Sequence, residues 1–337
     1  MSKNICPIFI IGTERSGSNL LNSMLNSHSE IISPHPTHLI ANFYHIQNLY
    51  NDLNIEKNLK RLIKDMIIQT WFRKWGIKYE PEKIIERLVE KSVVGITDVM
   101  YDLYAEKFGK KRWCNKSTIN INFNKPIKDY YNKVKFIYLY RDGRDVAVSY
   151  MKANWGHKHI LMLAEMWREQ QARGIHLSEE RYSKDEIMQV KYEDLLLNSE
   201  NVLKKLCVFL EINYEPNMMN YYENQYSKNI SGRFDGLKLL TAPVKKDNFN
   251  KFKKELPEKD ILIFESVAYS QLEHLGYELC FNKSEHMQFS EEYRKIAAAE
   301  NEKLMRKTEL KVLSEFLPRK LKMMHLKWIK FREEKLC

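Results

Sequence analysis

The chain has 337 residues, 44% of them hydrophobic and 29% charged, the balance of an ordinary protein with a substantial core. It shows no bilayer-length apolar run and opens without a signal-type apolar core, so it reads as cytoplasmic rather than integral or secreted. A formal net charge of +11 without zinc-finger spacing or an RNA-recognition signature disfavours nucleic acid and suits a polyanionic small molecule or an anionic surface.

In chain order, a strand is predicted over Pro7 to Ile11, then a helix from Ser18 to about Ser27 and a short extended piece at Ile31-Ile32. Helix follows helix from about His38 to Trp75, with another near Pro81 to Glu90. Val93-Val94-Gly95-Ile96 reads as extended, and Arg112 to Asn115 as a strand with Lys116 at its exit. A strand then ends at Arg141, followed by a helix through Ser149, an amphipathic helix near His159 to Leu177, a strand Ile187 to Val190 and a helix beginning after Ser199. This alternation predicts an α/β fold: a P-loop-like, mainly parallel central sheet of about four or five strands with helices on both faces.

Residues 38–90 interrupt the sheet order and read as a helical insertion able to cap an acceptor site. Phe43, Tyr44, Tyr50, Trp71, Phe72 and Trp75 are either its core or a pocket lining. Tyr221 to Lys254, broken by Gly232, Gly236 and Pro243, reads as a lid over a ligand. Glu291 to Glu315 is helical in composition, with a break expected at Pro318. Beyond it Leu321, Met324, Trp328 and Phe331 recur at helical spacing among Lys320, Lys322, Lys327, Lys330 and Arg332. Such a basic amphipathic helix suits an anionic membrane, a partner subunit in a homo-oligomer, or its own domain. The five cysteines have no metal-type spacing and read as free thiols, with Cys114 a packed apolar residue rather than a nucleophile.

Two motifs carry chemistry. In Pro7-Ile8-Phe9-Ile10-Ile11-Gly12-Thr13-Glu14-Arg15-Ser16-Gly17-Ser18-Asn19, two glycines enclose four residues between strand and helix, as in a phosphate-binding loop. The Walker form would place Lys and Ser/Thr where Ser18 and Asn19 stand. A loop that keeps the anion cradle, lacks the triphosphate lysine and adds Arg15 suits a 5′-phosphosulfate better than a metal-bound triphosphate. In Lys135 to Tyr150, Arg141 stands at the C-terminal edge of a buried strand, and Ser149 follows eight residues later. Strand end and helix could therefore aim a guanidinium and a hydroxyl at one phosphate. The alternative is that Arg141, Asp142, Arg144 and Asp145 form a surface ion network.

Together these motifs resemble the sulfotransferase family that uses 3′-phosphoadenosine 5′-phosphosulfate (PAPS). Three further segments are similar to the branch of tyrosylprotein sulfotransferases and bacterial enzymes. They are Trp113-Cys114-Asn115-Lys116-Ser117, Val190-Lys191-Tyr192-Glu193-Asp194-Leu195, and the stretch from Pro243 through Lys251 to Leu275-Gly276-Tyr277-Glu278. The resemblance implies a sulfotransferase domain over residues 1–281 and leaves 282–337 as a basic amphipathic helical tail. It also implies that Arg15, Ser16, Gly17, Ser18 and Asn19 cradle the 5′-phosphosulfate, Arg141 and Ser149 hold the 3′-phosphate, Tyr192 lies near the nucleotide, and Lys251 closes over it. Lys116 matches the lysine that steadies transition-state charge, and Arg15 shares that task. No metal is implied, and adenosine 3′,5′-bisphosphate (PAP) would be the product.

The general base departs from the tyrosylprotein pattern, whose glutamate falls here on Pro36. His38, matching a histidine of the bacterial proline-rich segment, and His35 are the candidates, with Glu14 a third; an imidazole can take a hydroxyl proton at neutral pH. The expected activity is sulfuryl transfer to a hydroxyl or amine of a carbohydrate, lipid, peptide or small molecule. The alternatives are a nucleotide-dependent phosphotransferase and an inactive PAP/PAPS-binding relative recruited to a membrane or partner.

Overall fold

The computed structural model describes residues 6–71, 75–224, 227–228, 239–311 and 313–335. Its strands are β1 (Ile8–Gly12), β2 (Ile31–Ile32), β3 (Arg112–Asn115), β4 (Lys135–Tyr140) and β5 (Ile187–Lys191). They form one mainly parallel sheet in the order β2-β3-β1-β4-β5, with β3 paired in parallel to both β1 and β2. Every residue of β1 is buried, which explains its unbroken apolar sequence. From β1 the chain builds β3 and β2 on one side and β4 and β5 on the other.

The helices in chain order are α1 (Ser18–Asn26), α2 (Leu39–Phe43), α3 (Glu56–Trp71), α4 (Pro81–Arg87), α5 (Val93–Lys107), α6 (Asn124–Tyr130), α7 (Gly143–Lys152), α8 (Ile160–His176), α9 (Tyr192–Leu197), α10 (Ser199–Leu210), α11 (Phe252–Glu255), α12 (Glu258–His274), α13 (Glu291–Lys311) and α14 (Leu313–Glu334). Three expectations change. Val93-Val94-Gly95-Ile96 is not extended but opens α5, because the Ser92 hydroxyl caps the helix by accepting from the Gly95 amide at 3.1 Å. Tyr192 begins a short helix, α9, ahead of the one expected after Ser199. The C-terminal helix also continues through Pro318, which lies in its second turn and forfeits one backbone hydrogen bond without ending it.

The chain divides into two compact units, the first made of residues 1–11, 25–136 and 317–337, the second of 12–24 and 137–316. In the first, Phe9, Trp113 and Tyr101 stack edge-on or tilted at 5.6 and 4.8 Å, and Trp113 Nε1 donates to Asp102 Oδ1 at 2.8 Å. Phe43, Tyr50 and Trp75 of the helical insertion are buried there, Tyr44 is half-buried against Phe123, Trp71 is exposed, and Phe72 lies outside the described residues. The second unit is centred on Trp167, Phe252 and Phe264, with Leu161, Leu163, Ala268 and Leu272 buried around them. From α13, Ala297 joins this core, and the Asn301 side chain accepts from the Lys158 and His159 amides at 2.7 and 3.1 Å.

Candidate functional site

Two close approaches shape the loop after β1. A Cβ on Gly12, at φ +135°, would fall 2.2 Å from the Leu139 carbonyl oxygen of β4, and one on Gly17, at φ +92°, 2.2 Å from the Tyr192 ring. Both positions demand glycine on conformational and steric grounds. Arg15 is also left-handed, at φ +69°, so the loop curls into the concave backbone that suits an anion at the start of α1.

The second motif meets this loop. Arg15 Nε donates to Ser149 Oγ at 2.9 Å, and Arg141 Nη1 donates to the Arg15 carbonyl at 3.3 Å. Arg141 is aimed from three sides. Its Nη2 reaches Asp145 Oδ2 at 3.1 Å and the Asn248 carbonyl at 3.2 Å, and its guanidinium lies 4.6 Å from the Tyr192 ring centre. Asp145 is held in turn by the Phe252 amide, and Tyr192 by Asn248 Nδ2 donating to its hydroxyl at 2.7 Å.

These residues enclose a cavity of about 350 Å³, a size that suits a small-molecule ligand. Its walls include Arg15, Gly17, Ser18, Asn19, Arg141, Ser149, Tyr192 and Lys251, each singled out in the sequence. Ser16 belongs to the same loop but is fully buried. Sequence reasoning missed Asp145 as the group aiming Arg141, together with Lys152, Trp155, Tyr221, Lys245 and Asn248. Lys152 follows Ser149 on the same face of α7 and could have been found by helical spacing. Trp155, whose ring lies 5.4 Å from the Arg15 guanidinium, had no such signal. Of the segment expected to act as a lid, residues 225–226 and 229–238 lie outside the described residues, whereas Leu239 to Lys251 contribute to the cavity wall.

The electrostatics are cationic and partly dry. Burial pulls the Arg15 and Lys251 pKa values down; Tyr150 and Glu14 oppose this for Arg15, whereas Arg141 reinforces it for Lys251. The Lys158 ammonium donates to the carbonyls of Tyr150, Ala153 and Trp155, bracing the turn that carries Trp155. Burial and the nearby Arg15 lower its pKa to about 8. Arg141, Asp142, Arg144 and Asp145 are buried, so they do not form a surface ion network. Arg144 ties Asp142 to Glu265 within the core, while Glu193 accepts from the Asp142 amide at 3.1 Å and from the Tyr277 hydroxyl at 3.0 Å.

His35, His38 and Lys116 belong to the first unit, and the cavity wall includes none of them. His38 is left-handed at φ 57° and precedes α2, the His35 carbonyl accepts from Trp75 Nε1 at 2.7 Å, and Lys116 is buried at the exit of β3. Glu14 accepts from the Tyr150 hydroxyl at 3.4 Å. Cys114 is wholly buried, and burial pushes its thiol up to about 12, which removes it as a nucleophile at neutral pH.

A family model described as Sulfotransferase family matches residues 7–216. The chain belongs to the sulfotransferase family. Among characterised relatives, protein-tyrosine sulfotransferase A of Caenorhabditis elegans is 23% identical over 80% of this chain and 67% of its own length. The protein-tyrosine sulfotransferase of Drosophila melanogaster is 24% identical over 64% of this chain, which spans 40% of that relative. An uncharacterised Aquifex aeolicus protein is 26% identical over 65% of the chain and 27% of its own length. The fold is shared with the sulfotransferase domain of the Synechococcus PCC 7002 olefin synthase, at TM-score 0.57 and 21% identity over 83% of this chain and 97% of that one. It is shared also with the sulfotransferase domain of the curacin biosynthetic pathway, at TM-score 0.56 and 19% identity over 82% and 100%.

The cavity fits the donor such a family implies. Ser16 Oγ and Arg141 Nε are buried without a hydrogen-bond partner among the described residues, and a Cβ on Gly17 would drive into the Tyr192 ring that walls the cavity.

Proposed function

We propose that this sulfotransferase-family protein moves the sulfuryl group of PAPS to a hydroxyl or amine acceptor by direct in-line attack. The acceptor atom bonds to sulfur as the bond from sulfur to the bridging oxygen breaks. PAP leaves with that electron pair, and the acceptor proton passes to a base, His38 in first place and His35 in second. Arg15, Ser16, Gly17, Ser18 and Asn19 bind the 5′ end, Arg141 and Ser149 the 3′-phosphate, Tyr192 packs near the nucleotide, and Lys251 neutralises it. Lys116 and Arg15 offset charge developing on the bridging oxygen, a task for which one preorganised donor is worth about 2.7–4 kcal/mol.

The observation that carries this reading is the joining of the two motifs in one cavity through the Arg15–Ser149 and Arg141–Arg15 hydrogen bonds. A magnesium-dependent phosphotransferase is disfavoured by Ser18 in place of the loop lysine. Calorimetry without metal tests the donor site: PAP should bind tightly and AMP weakly, and Arg141→Ala should abolish the difference. Equal binding of PAP and AMP by the wild type would overturn the reading. Retention of full turnover by His38→Ala across neutral pH would remove His38 as the base.

A further inference from the structure

The C-terminal half of α14 is fixed in rotation by a set of buried polar contacts within the first unit. Lys322 Nζ donates to the Thr37 carbonyl at 2.9 Å, and Arg332 binds Asp65 Oδ2 at 2.5 Å and Glu333 Oε1 at 2.6 Å. Glu333 also accepts from Arg61 of α3 at 2.6 Å, and the His325 ring shares a 2.7 Å hydrogen bond with Gln69. Asp65 and Glu333 are almost inaccessible, and Ile329 is buried beside them. Two residues that read from sequence as surface cations, Lys322 and Arg332, are therefore anchors.

Those anchors dictate what faces outward. Leu321, Met324, Trp328 and Phe331 recur at helical spacing and retain 43%, 55%, 50% and 58% of their accessible surface. Scattered exposed apolar residues need no explanation, but a stripe of four on one helix does. The exposed residues around it include Lys327, Lys330 and Lys335 against a single acidic one, Glu334. Lys335 Nζ lies over the Phe331 ring at 4.6 Å, its stem along the apolar stripe. On α3, Lys57, Lys60 and Lys64 share a surface depression with Arg61, the partner of Glu333, although Lys60 is paired with Glu56 and Glu82.

We propose that this face of α14 docks on an anionic lipid surface, with Leu321, Met324, Trp328 and Phe331 entering the headgroup boundary and Lys327, Lys330 and Lys335 contacting acidic headgroups. Charge decides between the occupants. A second copy would bring an identical lysine-rimmed face, on a chain of net charge +11, against its own like charges. An anionic bilayer satisfies both the apolar stripe and the cations, and an interfacial tryptophan suits that boundary. The inference is independent of the nucleotide reading, since none of these residues lines the donor cavity.

Vesicle flotation tests it, comparing equal parts phosphatidylcholine and phosphatidylserine with phosphatidylcholine alone. The wild type should float with the anionic vesicles at low salt and be released at high salt. Each lysine near such a surface contributes roughly fivefold, so Lys327→Glu/Lys330→Glu should weaken partitioning by about 25-fold or more. Met324→Ser/Phe331→Ser should also stay in solution, with circular dichroism and PAP binding unchanged to show that the fold survives. Failure of the wild type to float, equal flotation on phosphatidylcholine alone, or indifference of either variant would overturn the proposal. So would a lipid-free dimer in sedimentation equilibrium that Met324→Ser/Phe331→Ser dissociates, since the stripe would then be a contact between copies.

Discussion

Arg15 and Ser149 lie 134 positions apart, yet Nε of the one donates to Oγ of the other at 2.9 Å. The residue assigned to one end of the donor is thereby oriented by the residue assigned to the other, so damage at either should be felt at both. Ser149→Ala removes a hydrogen bond from a charged donor, worth about 1.5–3 kcal/mol. PAP affinity should fall roughly ten- to a hundredfold by calorimetry, and AMP affinity, which lacks the 3′-phosphate contribution, should fall as well through the loosened Arg15.

Arg141→Lys keeps the charge but not the fork. The guanidinium spans the Arg15 carbonyl, Asp145 and the Asn248 carbonyl while leaving Nε for a ligand, and a single ammonium cannot reproduce that geometry. PAP binding should drop by about tenfold or more in titration calorimetry, with a much smaller change in thermal midpoint.

Gly17→Ala should fold poorly or bind poorly, because the new methyl meets the Tyr192 ring at 2.2 Å on a backbone at φ +92°. Strain of this kind costs on the order of 1–3 kcal/mol. Adding Tyr192→Ala should recover part of the thermal midpoint without recovering nucleotide affinity, since the ring beside Arg141 is then gone.

Lys158 supplies a pH dependence. Burial first, then Arg15, lowers its folded pKa to about 8 from an ordinary value of 10.5. The unfolded chain therefore binds more protons between about pH 8 and 10.5, and this residue's contribution to stability rises across that window, reaching its plateau above it. Nucleotide affinity should move oppositely, because a neutral amine has lost one of the protons donated to the Tyr150, Ala153 and Trp155 carbonyls. Calorimetry near pH 8 in buffers of different ionisation enthalpy should detect proton uptake on PAP binding. Lys158→Met should abolish that uptake.

Arg144 should behave as a structural residue. Its guanidinium is buried between Asp142 and Glu265 and lies 4.0 Å from the Phe252 ring centre, outside the cavity wall. Arg144→Met leaves two buried carboxylates uncompensated and should cost about 3–5 kcal/mol in denaturant titration.

The glycine loop after β1 and the Arg141 edge of β4 were legible because a tight strand-to-helix turn constrains local sequence, with glycine at forced positions, and because a cation at a buried strand end stands out. Asn248 and Trp155 were not, because neither has meaning until the fold brings Tyr192 and Arg15 to them. Val93 to Ile96 misled for a different reason. The buried α5 opens on Val93-Val94-Gly95-Ile96, an apolar run too short to reveal a helical period. Along α14 the periodicity was readable, but not which lysines and arginines turn inward, since that depends on Asp65 and Thr37 far away in the chain.

Three contacts bear on how much chain the site needs. The recognisable signature ends at residue 216, yet Asn248 and Phe252 brace Arg141 and Asp145, and Tyr277 reaches back to Glu193 inside that signature. A fragment trimmed to the signature would retain the motif residues while exposing Glu193 and Asp145 to water and freeing Arg141 on one side. It would still match the family by sequence, while its cavity would have lost the braces on Arg141 and Asp145.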